Sequence, residues 1–454
     1  MAHVPPRSRG TLRAQADRSY VSRAIILPVQ KYMYTESIGG IVLLIATVVA
    51  LGWANSPWRE EYHHILEIHL HIDVTLFAVD LSIEEWINDG LMALFFFVIG
   101  LEIKREVLYG QLSTLRSAAL PAIAAIGGMV VPASIYLLLN LEGEGMRGWG
   151  IPMATDIAFA LGVLALLGRR IPMELRVFML GLAVVDDLGA IAVIAVAYTE
   201  TIDFGQLGMT AGLIAAMILA NRLGLRQPVV TAALAFLIWV AVLKSGVHAT
   251  VAGVLIAGLT PARSMVSREE FANESEALLA EYRTAMAAGD HERADAILGE
   301  VEEISQATEA PLERLERLIH PWSSYVILPL FALANAGIEF SQGSFSQAIS
   351  SSVTIGVFAG LLLGKLVGIT LFPFVASRLG IVELPRGISW LHVTGVALVG
   401  GIGFTVAIFV TGLAFDDHVI VDNAKMGILA ASLVAGLVGY GVLRLAARSA
   451  SSSD

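Results

Sequence analysis

Twelve stretches of mostly apolar residues recur along this 454-residue chain, and they leave few folds open to it. A run of about 17 to 25 apolar residues can cross the hydrocarbon core of a bilayer as a helix. Charged residues make up only 15% of the chain, against about 25% in a soluble domain. The sequence therefore predicts an all-α polytopic membrane protein with about twelve transmembrane helices. The predicted spans lie near residues 37–54, 86–107, 117–139, 149–167, 175–198, 204–220, 229–243, 247–259, 322–338, 353–375, 387–415 and 424–445.

Basic residues are concentrated in alternate connections between these spans, which predicts the orientation because short cytoplasmic loops retain lysine and arginine. They follow the second, fourth, sixth, tenth and twelfth spans, so we expect both termini in the cytoplasm. The net charge of −11 belongs mostly to one loop, since residues 263–317 alone carry −8. The predicted parts are a cytoplasmic tail (1–35), a first membrane part (36–262), an acidic helical cytoplasmic loop (263–321), a second membrane part (322–446) and a cytoplasmic C-terminal tail (447–454).

Three segments outside the spans have patterns of their own. Residues 268–306 read as two soluble helices broken at Gly289 and Asp290. An amphipathic helix suited to the membrane surface follows Pro311. Residues 65–80 alternate partly at period two, which predicts a β-hairpin on the outer face that could pair with another chain.

Four ionisable residues lie deep inside apolar segments: Asp156, the adjacent pair Asp186 and Asp187, and Lys365. A charge at bilayer depth costs roughly 3 to more than 10 kcal/mol, so such groups persist mainly where they pair or line a polar cavity. Neighbouring residues of a helix point about 100° apart, so Asp186 and Asp187 cannot both face one point. Carboxylate oxygens suit hard cations such as Na⁺ or Li⁺, and like charges held away from water disfavour the ionised form.

These four residues therefore predict a site where a proton and a cation compete. The plainer alternative is a structural ion pair between an aspartate and Lys365, but three acids against one base leave an acid unpaired. Because the chain contains no cysteine, thiol chemistry is excluded. His248 begins a helix, where it could cap the helix, fill space or sense pH.

Small residues interrupt the fourth and eleventh spans. Gly148, Gly150 and Pro152 precede Thr155 and Asp156, and four glycines between 395 and 403 precede Thr405. Such residues can serve helix packing alone. Interrupted helices at matching positions of two halves also point to a transporter site near the membrane midplane. Spans three to five and ten to twelve are seven spans apart, so a related pair would be inverted in the membrane.

Seven motifs, in this order along the chain, resemble those of the bacterial NhaA sodium/proton antiporter family. They are ATDIAFALGVLALLG (154–168), DDLGAI (186–191), LKSGVHAT (243–250), HPW (320–322), LPLFALANAG (328–337), LGK (363–365) and GGIGFT (400–405). The resemblance runs from about residue 36 to about residue 445. It implies inverted repeats and two discontinuous helices that cross at the midplane.

The resemblance also implies roles for individual residues. Asp186 and Asp187 would bind the cation and the proton; Thr155, Asp156 and Thr405 would lie at the crossing; Lys365 would be a countercharge that can pair with Asp186. A pH-regulating cluster maps onto Glu102, Arg105, Glu106, Glu316 and His320, and His248 joins the candidates for pH regulation. The family further implies a homodimer joined partly by the outer hairpin.

Together, the residues and the resemblance predict a secondary transporter of the bacterial inner membrane that exports Na⁺ or Li⁺ in exchange for H⁺ by alternating access. It would be regulated by pH and serve Na⁺ and pH homeostasis. We expect no enzymatic activity, no cofactor, no partner besides lipid and a second copy, and no nucleic acid. Two alternatives are a sodium-coupled solute symporter and an intramembrane aspartyl protease with Asp156 opposing Asp187.

The chain departs from the family pattern in two places. Glu313 and Arg317 stand where a well-known member has a lysine and a histidine, and residues 268–306 are an insertion relative to that member.

Overall fold

The computed structural model describes residues 27–451, apart from 75–76, 200–201, 226, 341 and 386. Within them, seven helices are long and apolar enough to cross a membrane, or up to nine if each of two bent helix pairs is one span. Two shorter apolar helices accompany them. The prediction of a helical polytopic membrane protein is confirmed at this level, and the count of twelve stays a prediction.

The first part of the chain contains a bent helix pair, a hairpin and a series of apolar helices. The elements are α1 (Leu27–Ala54), α2 (Arg59–Leu66), β1 (His69–Val74), β2 (Phe77–Ser82), α3 (Ile83–Leu108), α4 (Leu115–Leu139), a 3₁₀ segment (Glu144–Met153), α5 (Ile157–Leu167), α6 (Met173–Ala197), α7 (Phe204–Arg222), α8 (Pro228–Lys244) and α9 (Ala249–Leu259).

The second part begins with two polar helices and ends with a bent pair and a long terminal helix. The elements are α10 (Arg268–Ala288), α11 (His291–Thr308), α12 (Pro311–Trp322), a π-helical turn (Ser323–Ile327), α13 (Leu328–Asn335), α14 (Gln342–Ser350), α15 (Ser352–Arg378), α16 (Trp390–Val399), α17 (Phe404–Ala414) and α18 (His418–Ser451).

The segment between α2 and α3 differs in detail from the prediction of a hairpin over residues 65–80. The antiparallel strands occupy 69–74 and 77–82, with His69 paired to Ser82. Residues 65 and 66 instead end helix α2, whose first turn carries Glu60 and Glu61. Acidic side chains there favour a helix because they complement its positive N-terminal end. The helix thus takes residues that the alternation pattern had assigned to a strand.

The acidic insertion folds as predicted into two helices, α10 and α11. A capping box at Ser267 starts α10, and Gly289 ends it in the left-handed conformation (φ 73°). Leu278, Tyr282, Ala285 and Ile297 are among the apolar residues packed between the two helices. The backbone N–H of Met265 donates to the carbonyl of Ala307 at 2.9 Å, so the two ends of the insertion lie side by side.

Close packing of α4 against α15 positions Lys365. A β-carbon on Gly368 would lie only 2.0 Å from the carbonyl oxygen of Gly127, so the backbones touch where both residues are glycine. A π-helical turn at residues 360–364 immediately precedes Lys365, and a β-carbon on Gly364 would lie 2.6 Å from Pro132 of α4. Such turns inside α-helices occur frequently at functional sites.

Candidate functional site

The two interrupted helices meet at their interruptions. Residues 154–156 separate the 3₁₀ segment from α5, and residues 400–403 separate α16 from α17, with a bend of 48°. The N–H of Asp156 donates to the carbonyl of Ile402 at 2.6 Å, which joins the two irregular stretches. The expectation of two broken helices in contact therefore agrees with the structure.

Asp156 caps two helices at once. One carboxylate oxygen accepts from the backbone N–H of Phe159 at 3.1 Å, in the first turn of α5. The other accepts from the backbone N–H and the hydroxyl of Thr405, at 3.1 and 2.6 Å, in the first turn of α17. Both helices present positive N-terminal ends with free N–H groups, so a single buried carboxylate satisfies them together.

Lys365 and Asp186 form an ion pair that is almost wholly buried, with side chains 0% and 1% exposed. The Lys365 ammonium also donates to the hydroxyl of Thr155 at 2.9 Å. That hydroxyl lies 2.5 Å from Asp186 Oδ2 and 2.9 Å from the carbonyl of Gly400, and its single proton serves one acceptor at a time. The pair thus contacts the first interruption directly, and the Thr155 hydroxyl connects it to Gly400 in the second. Asp186 Oδ1 is buried and has no hydrogen-bond partner among the described residues.

Asp187 faces elsewhere, as the helical spacing predicts. Its side chain lines a cavity of about 40 Å³, whose walls also include Thr155, Asp156 and Thr405. A cavity that size has room for a few water molecules. Glu102 and His320 line the same cavity, so it connects Asp187 with a second group of charges. In the part of the chain that the structure describes, no three His, Asp or Glu side chains cluster as a metal site would require.

The second group comprises Glu102, Arg105 and Glu106 of α3 with Glu316 and His320 of α12, and we call it the α3–α12 charge cluster. Arg105 pairs with Glu316 across the two helices and lies 3.4 Å from Glu106. Burial raises the pKa of Glu316 to about 7, and the positive charge of Arg105 opposes that rise. Glu316 therefore changes its charge near neutral pH.

His248 lies apart from this cluster. It is the residue before α9, and its ring packs edge-on against Phe409 of α17 at 6.3 Å. The structure thus brings together the five residues of the α3–α12 charge cluster, which the resemblance assigned to pH regulation. It places His248 beside Phe409 instead.

Two tyrosines that the sequence analysis did not single out hold the 3₁₀ segment in place. The Tyr198 hydroxyl donates to the carbonyl of Arg147 at 2.9 Å and accepts from the N–H of Gly150 at 3.3 Å. Tyr136 donates to the carbonyl of Gly145 at 2.7 Å. Their partners are backbone atoms, which no residue pattern reveals. The sequence offers one signal for this role, which is position. Tyr136 lies in α4 and Tyr198 directly follows α6, and these two helices flank the interrupted span.

The two departures from the family pattern also have defined positions. Glu313 is exposed on α12. Arg317 forms an ion pair of 2.8 Å with Glu309, in the short connection between α11 and α12, close to the end of the acidic insertion.

The fold and this enclosed set of charges define a polytopic membrane protein with ionisable groups at the junction of two interrupted helices. The family model described as Na⁺/H⁺ antiporter 1 matches residues 30–443, and the chain belongs to that family.

Curated relatives align with this chain over nearly their full lengths. The chain is 46% identical to Na⁺/H⁺ antiporter NhaA 2 of Syntrophotalea carbinolica, covering 93% of this chain and 98% of the relative. It is 45% identical to NhaA 2 of Sorangium cellulosum, covering 95% and 92%. It is also 45% identical to NhaA of Koribacter versatilis, covering 95% and 94%. The resemblance recognised in the sequence is confirmed.

Proposed function

We propose that this protein exchanges Na⁺ or Li⁺ for H⁺ across the bacterial inner membrane, and exports the cation at the expense of the proton gradient. One observation carries the proposal: Asp187 opens into a small buried cavity, while its neighbour Asp186 is held by Lys365 and Thr155. Family membership supports the same activity, since the relatives are named as Na⁺/H⁺ antiporters.

Competition for one carboxylate would couple the two ions. Asp187 binds either a proton or a hard cation, because the oxygen that takes the proton is also the ligand for the cation. The unpartnered Oδ1 of Asp186 supplies a second oxygen of the same kind. Binding one ion expels the other, which is the requirement for exchange.

Alternating access would require the two interrupted helices to move relative to the rest of the bundle. Asp156 and Thr405 are bonded across the junction, so we infer that they keep α5 and α17 together while the exposure of Asp187 changes. We further propose twelve spans, inverted repeats around this junction, and the tail, membrane and loop boundaries given above. Both termini would lie in the cytoplasm, with the β-hairpin on the outer face joining two copies.

The α3–α12 charge cluster would supply the pH regulation. It borders the cavity that reaches Asp187, and Glu316 within it has a pKa of about 7. Protonation of Glu316 removes the attraction that joins α3 to α12 through Arg105. His248 would take part in this regulation through its contact with Phe409 on α17.

The alternatives have less support. An aspartyl protease needs two carboxylates that share a water, whereas both carboxylate oxygens of Asp156 already accept hydrogen bonds from helix N-termini. A solute symporter needs a binding cavity for an organic molecule, and the cavity at Asp187 measures about 40 Å³.

The test is proton movement in everted membrane vesicles. After respiration has acidified the vesicles, added Na⁺ or Li⁺ should release protons and restore the fluorescence of a pH-sensitive dye. Asp187→Asn should abolish this response, because an amide keeps the shape but exchanges no proton. Asp295→Asn, on the exposed surface of α11, is the matched control and should respond normally. Normal exchange by Asp187→Asn would disprove the assignment.

A further inference from the structure

A second cavity lies on the outer surface of α15, away from the candidate ion site. It has a volume of about 330 Å³ and is lined by Leu366, Val367, Thr370, Leu371, Phe374 and Thr394. Five of these residues follow one another along a single face of α15, and Thr394 contributes from α16. Val367, Leu371 and Phe374 are each more than a third exposed. Since α15 is long and apolar enough to span a membrane, an exposed apolar groove along it would face lipid.

The groove and the end of α15 beyond it together have about the length of one leaflet. From Leu366 to Arg378, where α15 ends, the helix rises about 18 Å at 1.5 Å per residue. Half of the hydrocarbon core of a bilayer measures about 15 Å. An acyl chain lying along the groove would therefore place its headgroup beside the last turn of α15.

The positively charged side chain of Arg378 lies at that end of the groove. The guanidinium carbon of Arg378 lies 5.2 Å from the ring centroid of Phe374, the last groove residue of α15. Arg378 is exposed, and no described acidic side chain lies within ion-pair distance of it. Glu383, the nearest acid along the chain, is itself exposed. A guanidinium held over an aromatic ring keeps its N–H donors available, and their planar arrangement matches a phosphate.

A second aromatic side chain, that of Trp390, lies at the same end of the groove. The Trp390 ring packs edge-on against Phe374 with centroids 5.1 Å apart, in the first turn of α16. Tryptophan prefers the level of the lipid headgroups. Arg378, Phe374 and Trp390 thus mark the level of the membrane surface at the top of the groove.

We propose that this groove is a binding site for an anionic phospholipid, with one acyl chain along α15 and the phosphate on Arg378. A zwitterionic lipid would fill the groove equally well but would gain less from the guanidinium, because its headgroup carries no net charge. One basic residue near the membrane surface favours an anionic lipid by about fivefold. The site is independent of the ion-exchange proposal, because it shares no residue with the cavity at Asp187.

Quenching of Trp390 by brominated lipid tests the site directly. The full chain is reconstituted in vesicles of phosphatidylcholine in which a small fraction is replaced by brominated phosphatidylglycerol or by brominated phosphatidylcholine. The chain has 7 tryptophans, so the same measurement on Trp390→Phe isolates the signal of Trp390 by difference. Quenching should be half-complete at an about fivefold lower fraction of the anionic lipid than of the zwitterionic one.

Two arginine variants decide what causes the preference. In Arg378→Gln, both brominated lipids should quench Trp390 equally, because the groove remains while the charge is lost. Arg444→Gln removes an exposed arginine of α18 and should keep the full preference. Equal quenching of the unaltered protein by both lipids would overturn the proposal. A preference that survives Arg378→Gln, or that is lost with Arg444→Gln, would assign it to general surface charge and overturn it as well.

Discussion

The buried ammonium of Lys365 is bonded to the carboxylate of Asp186, and the Thr155 hydroxyl contacts both groups. Lys365 comes from α15, Asp186 from α6 and Thr155 from the interruption before α5. One ion pair therefore joins three elements whose residues lie up to 210 positions apart in the chain. Charge balance inside the bundle and the path of the broken helix depend on the same contact.

The first prediction concerns the stability of this contact. Lys365→Met should lower the free energy of unfolding by about 3–5 kcal/mol, because Asp186 then stays buried without its countercharge. Combining Lys365→Met with Asp186→Asn should recover most of the loss, since neither position of the former pair then carries a charge. Thermal unfolding in detergent measures both effects. The exposed Lys244→Met serves as the control, and a double variant no more stable than the single one would contradict the explanation.

The second prediction concerns pH. Burial raises the pKa of Glu316 from about 4.5 to about 7, against the attraction of Arg105, while Glu102 and Glu106 add to the rise and His320 opposes it. Glu316 is therefore neutral below pH 7 and charged above it. Glu316→Gln should remove the part of the pH dependence of exchange that is centred near pH 7. Glu313→Gln, one turn earlier on the exposed face of α12, should leave the profile unchanged.

The same group gives a stability test with a definite sign. Between pH 4.5 and 7 the folded protein holds a proton on Glu316 that the unfolded chain has released. This contribution is complete below pH 4.5 and is lost as the pH rises through 7. Unaltered protein should therefore lose stability relative to Glu316→Gln across that window, by at most about 1.4 kcal/mol per pH unit. An opposite slope would show that the ion pair with Arg105 outweighs burial.

The third prediction concerns the tyrosine that holds the 3₁₀ segment. Tyr198→Phe removes the hydroxyl that bonds Arg147 and Gly150, at a cost of about 1 kcal/mol for each hydrogen bond lost. Because this segment leads into Thr155 and Asp156, the half-saturating Na⁺ concentration should rise while the protein remains folded. Tyr440→Phe is the control, since no described residue hydrogen-bonds that hydroxyl. Unchanged Na⁺ dependence in Tyr198→Phe would limit Tyr198 to a structural role.

Physical rules explain which parts of this site could be predicted from the sequence. The cost of burying charge singled out Asp156, Asp186, Asp187 and Lys365, and the helical angle separated the directions of Asp186 and Asp187. The pairing of Asp186 with Lys365 followed only from the resemblance, because residues 179 positions apart share no local pattern.

Other parts depend on contacts that a sequence does not display. The double cap formed by Asp156 requires two helix N-termini to converge, and hydrophobic patterns do not encode that convergence. The tyrosines bond to backbone carbonyls, and backbone atoms are the same for every sequence. The hairpin occupies 69–82 and not the predicted 65–80, because residues 65 and 66 belong to helix α2. Their sequence fits either a helix or a strand.

The last prediction concerns the acidic insertion. The N–H groups of Met265 and Val266 both donate to the carbonyl of Ala307, so deleting residues 268–306 joins positions that already lie side by side. The apolar contacts of α10 and α11 are mainly with each other, which leaves the membrane helices with their own core. We therefore expect the deletion variant to reach the membrane and to exchange Na⁺ for H⁺ in everted vesicles. Its pH profile can shift, because Arg317 next to Glu316 is held by Glu309 at the edge of the insertion. Arg317→Gln in the full chain is the matched comparison: it should reproduce the shift if this ion pair is the connection. A deletion variant that is inserted normally but inactive at every pH would show that the insertion is part of the transport machinery.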